Sequence, residues 1–77
     1  MNNISDTLEY ILKAIVEKPE EISVTSEEVE DVTVFEISAP SEMVGKIIGK
    51  EGKVIKSIRT ILNLSYPNIK FALKIKE

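Results

Sequence analysis

Gly49-Lys50-Glu51-Gly52 sets two glycines three residues apart, with Ile47-Ile48 before them and Lys53-Val54-Ile55 after. Glycine costs about 1 kcal/mol relative to alanine inside a helix. The four residues therefore read as a tight turn between two helices. A helix opening after Gly52 begins with N–H groups that have no intrahelical acceptor and with the positive end of its dipole. With no Cβ at 49 or 52, an anion can approach the main-chain amides and the turn can take positive φ. Such a turn suits a phosphate. Lys46, Lys50, Lys53, Lys56 and Arg59 surround it, and Glu51 is the single acid among them. Lys53, Lys56 and Arg59 recur every three residues and so share a helix edge. A row of cations suits a run of phosphates better than one small anion. A plain turn beside a solvated lysine face is the bland alternative.

Other chemistries lack their residues. The chain has no His and no Cys, which removes ordinary nucleophile–base pairs, soft-metal sites and disulfides. A P-loop would need Gly at position 47 and Ser or Thr at 54, where Ile47 and Val54 stand, and no Gly-x-Gly-x-x-Gly occurs. Glu27, Glu28, Glu30 and Asp31 lack the spacing of a calcium loop, and no glycine bends the chain there. They read as a solvated acidic connection. The expectation is a binding protein, with no enzymatic activity, cofactor or metal.

The charges are segregated. Residues 1–42 carry eleven acids and two lysines, a net −9, and residues 43–77 carry eight basic residues against Glu51 and Glu77, a net +6. That asymmetry fits a face for a polyanion. Seventy-seven residues make a single domain, 1–77, with 43% apolar residues. A chain of this size buries only about 60% of its unfolded surface, which leaves room for a dimer or a partner. No apolar run is long enough to span a membrane. MNNISDTLEY lacks a signal-peptide layout, and a cytoplasmic location is expected.

The elements that must position the glycine turn follow from periodicity. Ile4, Leu8, Ile11, Leu12, Ile15 and Val16 recur at helical spacing, predicting a helix over 6–18 with Asp6 and Glu9 as a capping box. Ile22 and Val24 suggest a short strand. Thr33, Phe35, Ile37 and Ala39 line one face of a second strand, which Pro40 ends, and Ser41 can cap a helix running to Ile48. Gly45 within that helix is expected to permit close packing. Val54, Ile55, Ile58, Ile61 and Leu62 mark a helix over 53–63. Tyr66-Pro67-Asn68 is a turn, and Ile69, Phe71, Leu73 and Ile75 alternate with Lys70, Ala72, Lys74 and Lys76 in a last strand. The order is α-β-β-α-α-β, an α+β fold whose three-stranded sheet carries three helices packed on one face. By phase Phe35 and Phe71 are core residues. Tyr10 lies off its helix's apolar stripe and is available to an interface.

Ile47-Ile48-Gly49-Lys50-Glu51-Gly52-Lys53-Val54-Ile55 resembles the signature of KH domains, I-G-x-x-G-x-x-I, and the element order is that of the type II, bacterial-style KH fold. The opening helix with Leu8-Glu9-Tyr10-Ile11, followed by Lys18-Pro19-Glu20-Glu21, is similar to the small stand-alone KhpA-type KH proteins of bacteria. The resemblance covers nearly the whole chain. It implies single-stranded RNA as ligand, with about four nucleotides held by the loop. It implies that Gly49, Lys50, Glu51 and Gly52 meet the sugar–phosphate backbone, that Ile48 and Ile55 support the loop and floor a groove for bases, and that the last strand walls its far side. Lys46, Lys53 and Lys56 complete the expected RNA-binding set. The resemblance further implies self-association, or pairing with a larger KH-domain protein, in post-transcriptional regulation or as an RNA chaperone. Aspartates at 49 and 52 are expected to abolish binding while leaving stability near wild type. Glu51 and the few stacking groups point to weak, salt-sensitive binding with modest base preference. The alternative is a KH fold serving protein interaction without nucleic acid.

Overall fold

The computed structural model describes residues 3–76; Met1, Asn2 and the acid Glu77 lie outside it. Its helices and strands follow the expected order: α1 (Ile4–Ile15), β1 (Ser23–Val29), β2 (Val32–Ser38), α2 (Ser41–Ile48), α3 (Lys53–Ser65) and β3 (Phe71–Lys76). Short 3₁₀ turns occupy Pro19–Glu21 and Lys50–Gly52.

The cap of α1 is Asn3, whose Oδ1 accepts the Asp6 N–H at 2.8 Å, rather than an Asp6–Glu9 box. Asn is among the strongest N-cap residues, and it starts the helix two residues before the expected position. Asp6 then falls in the first turn, where the dipole favours a negative charge. The helix also ends earlier than 18. Val16 is extended (φ −113°, ψ 159°) and buried, whereas Ile15, the last helical residue, is exposed. Burying Val16 takes the chain off the helical path.

Most of the expected acidic connection is strand. Ser26, Glu27, Glu28 and Val29 pair with Phe35, Val34, Thr33 and Val32, so only Glu30 and Asp31 make the reversal. Both have positive φ, 51° and 70°, as a two-residue hairpin of matching twist requires. β1 is an edge strand, and its charged outer residues keep that edge soluble.

The sheet is mixed. β2 is central, antiparallel to β1 and parallel to β3, with Phe35 opposite Leu73 and Ile37 opposite Ile75. The β2–β3 connection is the α2–α3 pair, which is how a parallel neighbour is reached. Ile69 lies before β3 and is exposed, so the last strand begins two residues later than its alternation suggests. Lys70, Lys74 and Lys76 are exposed, and Lys74 stands opposite Glu36.

One core joins the helices to the sheet. Leu8 and Leu12 of α1, Phe35 and Ile37 of β2, Ile47 of α2 and Leu62 of α3 are its fully buried members. Each such side chain stabilises by about 1.5–3 kcal/mol through burial. Tyr66 is half-buried against this core, and its hydroxyl lies 2.6 Å from Thr7 Oγ1, tying the end of α3 to the first turn of α1. Phe35 is buried and Phe71 packs against the core, as their phases require. Among the described residues no helix is long and apolar enough to cross a membrane.

Candidate nucleic-acid interface

α2 forms from three inward residues, Met43, Val44 and Ile47, with Pro40 rather than Ser41 at its N-cap position. The Pro40 carbonyl accepts the N–H groups of Met43 at 2.8 Å and Val44 at 3.2 Å, so no hydroxyl cap is used. The helix closes when Gly49 N–H donates to the Gly45 carbonyl at 2.8 Å and Gly49 turns to φ 79°. Glu51 (φ 59°) and Gly52 (φ 73°, ψ 17°) are left-handed as well, and α3 starts at Lys53 with Gly52 as its N-cap and no side-chain cap. Three of the four loop residues thus hold positive φ, which glycine takes freely and glutamate does not.

The loop's amides divide into two sets. Gly52 N–H donates to Gly49 O at 3.1 Å, and Lys53 N–H donates to Lys50 O. The N–H groups of Lys50 and Glu51 have no backbone acceptor among the described residues. The open donors therefore lie at the tip of the turn. The first amide of α3 is already engaged, so the anion cradle is narrower than a bare helix N-terminus would offer.

The two glycines are not equivalent. A Cβ on Gly49 would overlap Val54 Cγ2 and come within 2.8 Å of the Val54 backbone N, whereas one on Gly52 would meet only Lys56 Cε, 4.0 Å away. Gly49 is required by the close approach of the loop to the first turn of α3. Aspartate at 49 would therefore disturb the fold, contrary to the expectation that stability would stay near wild type. Gly45, expected to permit close packing, has nothing within 4 Å of a Cβ position and is exposed.

The lysines do not form one uniform ring. Lys50, Lys53, Lys56 and Arg59 are exposed on the turn and along α3. Within α3, Ser57 Oγ donates to Lys53 O at 2.9 Å and Thr60 Oγ1 to Lys56 O at 3.0 Å. Lys46 instead meets Glu17, with Nζ 3.1 Å from Oε2, beside a shallow pocket of about 300 Å³ lined by Glu17, Lys18, Glu42, Met43 and Lys46. Both partners are exposed, so the pair contributes little stability and can exchange. Nothing in the spacing of Glu17 and Lys46, 29 positions apart, signals this pairing. Ile48 is 36% exposed, Ile55 is half-buried against the core, and Ile47 is fully buried. The first of the two adjacent isoleucines anchors α2 and the second faces out. Among the described residues, no group of three or more acidic side chains is placed to hold a metal ion.

Glu51 sits at the tip with a positive φ and a charge that opposes any phosphate there. Asparagine tolerates the left-handed region better than glutamate and carries no charge. Glu51→Asn is expected to leave the melting temperature unchanged or slightly raised. If the loop holds an RNA phosphate, as the KH resemblance implies, the substitution should tighten binding of a single-stranded RNA by roughly three- to tenfold at low salt. Fluorescence anisotropy and thermal melts of both proteins measure the two effects.

Comparison with known proteins places this geometry in a family. A model described as the KhpA/KhpB KH domain matches residues 5–74. The chain is 40% identical over 76 residues to the RNA-binding protein KhpA of Chlamydia caviae, covering 96% of this chain and 97% of that one. It is 42% identical over 60 residues to the RNA-binding protein KhpA of Thermotoga maritima, covering 78% and 80% of the two chains. The protein of the same name from Treponema pallidum is 37% identical over 60 residues, 78% of this chain and 75% of its own. No solved structure gave a significant match. With the α-β-β-α-α-β order, the mixed three-stranded sheet and the glycine turn between α2 and α3, the chain belongs to the KhpA/KhpB KH-domain family.

Proposed function

We propose that the protein binds single-stranded RNA, with the Gly49-Lys50-Glu51-Gly52 loop against the sugar–phosphate backbone. The carrying observation is the loop tip, where the Lys50 and Glu51 amides lack backbone acceptors and the exposed Lys50, Lys53 and Lys56 stand around them. The names of the relatives support the ligand class. Lys50 and Lys53 supply charge at the turn, and Lys56 extends it along α3. Lys46 joins by exchanging Glu17 for a phosphate. Exposed Ile48 and half-buried Ile55 offer apolar contact to bases beside the loop. Among the described residues no buried polar group marks out a pocket for one base, so affinity rests on the backbone and base preference is modest. The protein acts in the cytoplasm as a post-transcriptional RNA-binding module or RNA chaperone.

The test is titration of a labelled mixed-sequence single-stranded RNA at low salt, with wild type and with Lys50→Glu/Lys53→Glu. Loss of binding in a variant that keeps its circular dichroism spectrum supports the reading. Equal affinity of the two overturns it.

A role in protein association has its own observation. Tyr10 on α1 and Ile61 and Leu64 on α3 are large apolar side chains left exposed. They favour a homodimer, or a complex with a larger KH-domain protein. A sizing column run with and without ribonuclease separates association through protein from association through RNA.

A further inference from the structure

β3 is an edge strand whose inward side chains, Phe71, Leu73 and Ile75, pack against the core. Side chains alternate between the two faces of a strand. Ala72, Lys74 and Lys76 therefore point to the outer face of the sheet, away from the helices. Lys70 extends the row. Its carbonyl accepts the Thr33 N–H at 2.9 Å, which holds it beside β2 before the strand proper begins. Lys70, Lys74 and Lys76 are all exposed, and no acid occupies an outward position among them. Glu36 stands opposite Lys74 on β2, yet among the described residues no ion pair engages any of the three lysines.

Edge protection does not account for this row. Charge of either sign keeps an edge strand from pairing, and β1, the opposite edge, carries Glu27 and Glu28. The two edges differ in sign, and only β3 attracts an anion. Alternate residues of a strand lie about 6.6 Å apart. Lys74 and Lys76 are neighbours at that spacing, and successive phosphates of an extended nucleic-acid strand repeat at a similar distance. The chain also brings the row and the loop to one end of the molecule. α3 starts at the loop and leads away from it, and the short connection at residues 66–70 turns the chain back into β3. The whole fold measures 32 × 23 × 21 Å, so a strand that passes over the free β3 edge has a short path from the loop to Lys76.

We propose that Lys70, Lys74 and Lys76 form a second phosphate track on the outer face of the sheet, taken up by single-stranded RNA that has left the glycine loop and crossed the β3 edge. This rests on the RNA reading given above. The loop holds about four nucleotides, and the track holds others of the same strand by charge alone. Phe35, Phe71 and Tyr66 are turned to the core and Tyr10 is on α1, so none of the four aromatic residues is on that face to stack a base. The track lengthens the footprint without adding base preference.

The test titrates labelled mixed-sequence RNAs of about 6 and about 20 nucleotides, the shorter sized for the loop alone. The proteins are wild type, Lys74→Gln/Lys76→Gln and the charge-matched control Lys13→Gln/Lys18→Gln, whose lysines are exposed on and after α1. The track variant should bind the longer RNA roughly tenfold more weakly at low salt. Its log–log salt slope on that RNA should be shallower than wild type's by about 1.4, two single-strand contacts at about 0.7 each. The shorter RNA should bind within about twofold of wild type, and the control should follow wild type on both. Lys76→Gln alone, at the end of the strand, should show half the change in slope and secures the result if the double variant melts early. An unchanged slope on the longer RNA overturns the proposal. So does equal weakening of both RNAs, or a loss in the control as large as in the track variant. Poly-glutamate bound by wild type and lost in the track variant, with RNA unaffected, would assign the row to an acidic protein and also overturns it. Lys50→Glu/Lys53→Glu, titrated alongside, separates the two ideas. If it loses both RNAs while the track variant keeps them, the loop reading stands and the track falls. If it binds both like wild type, the loop reading falls and the track, as its extension, falls with it.

Discussion

Gly49→Ala is expected to lower the melting temperature by roughly 10 °C or more. The added Cβ would overlap Val54 Cγ2 and lie 2.8 Å from both Val54 Cβ and the Val54 backbone N. Val54 is β-branched and sits in the first turn of α3, so its rotamer is nearly fixed. Its main-chain N cannot withdraw unless the start of α3 moves. The residue must also hold φ 79° with ψ 173°, a region essentially restricted to glycine, which costs an L-residue about 1–3 kcal/mol. Overpacking against a fixed neighbour adds about 1–3 kcal/mol. The total, about 2–6 kcal/mol, is large against the stability of a domain this small, and at about 4–8 °C per kcal/mol even its lower end lowers the melting temperature by about 8–16 °C. Gly52→Ala is the control. Its Cβ meets only Lys56 Cε at 4.0 Å, so the backbone term remains alone and the fall should be less than half as large. Thermal melts followed by circular dichroism measure both. Equal melting temperatures for the two alanine variants would show that Gly49 is not held against Val54.

Reversing the charge of Lys50 and Lys53 together is expected to weaken single-stranded RNA binding by about 100-fold at low salt, equivalent to about 2.7 kcal/mol. Both side chains are exposed, and among the described residues neither makes a side-chain hydrogen bond or ion pair that the fold would lose. The folded state should therefore persist, which a glycine substitution in the same loop cannot guarantee. On the proposed reading, about three phosphate contacts would give wild type a log–log salt slope on the order of −2 for a single strand. Removing two of those contacts should bring the slope toward about −0.7. The slope separates this reading from general misfolding, because a misfolded variant would lose amplitude without a graded change in salt response. A steep slope retained by the double variant would place the phosphates elsewhere on the protein.

The glycine loop shows how far local sequence carries. Two glycines between apolar helical stripes state that the chain turns there and that lysines crowd the turn. Both follow from propensity and spacing, which are properties of neighbouring residues. Which N–H groups remain open does not follow. It depends on whether the turn tightens into a 3₁₀ ring, and here that ring engages Gly52 and Lys53 while leaving Lys50 and Glu51. The acidic run from Ser26 to Asp31 misled for a related reason. Its charged residues carry no alternation of apolar and polar side chains, and strand formation there comes from pairing with Val32 through Phe35.

The element order, most of the inward faces of α1, α2, α3 and β2, the interhelical turn and the segregation of charge could be read from the chain, because period, glycine placement and charge are written residue by residue; Ile15, Ile48 and Ile61, which share the apolar stripes, are exposed instead. Folding alone settled that Gly49 is obligatory against Val54 while Gly45 faces open space, that Lys46 reaches Glu17, and that Tyr66 ties α3 to Thr7. Each of these is a distance between residues brought together by packing, and no local preference encodes a distance across the fold.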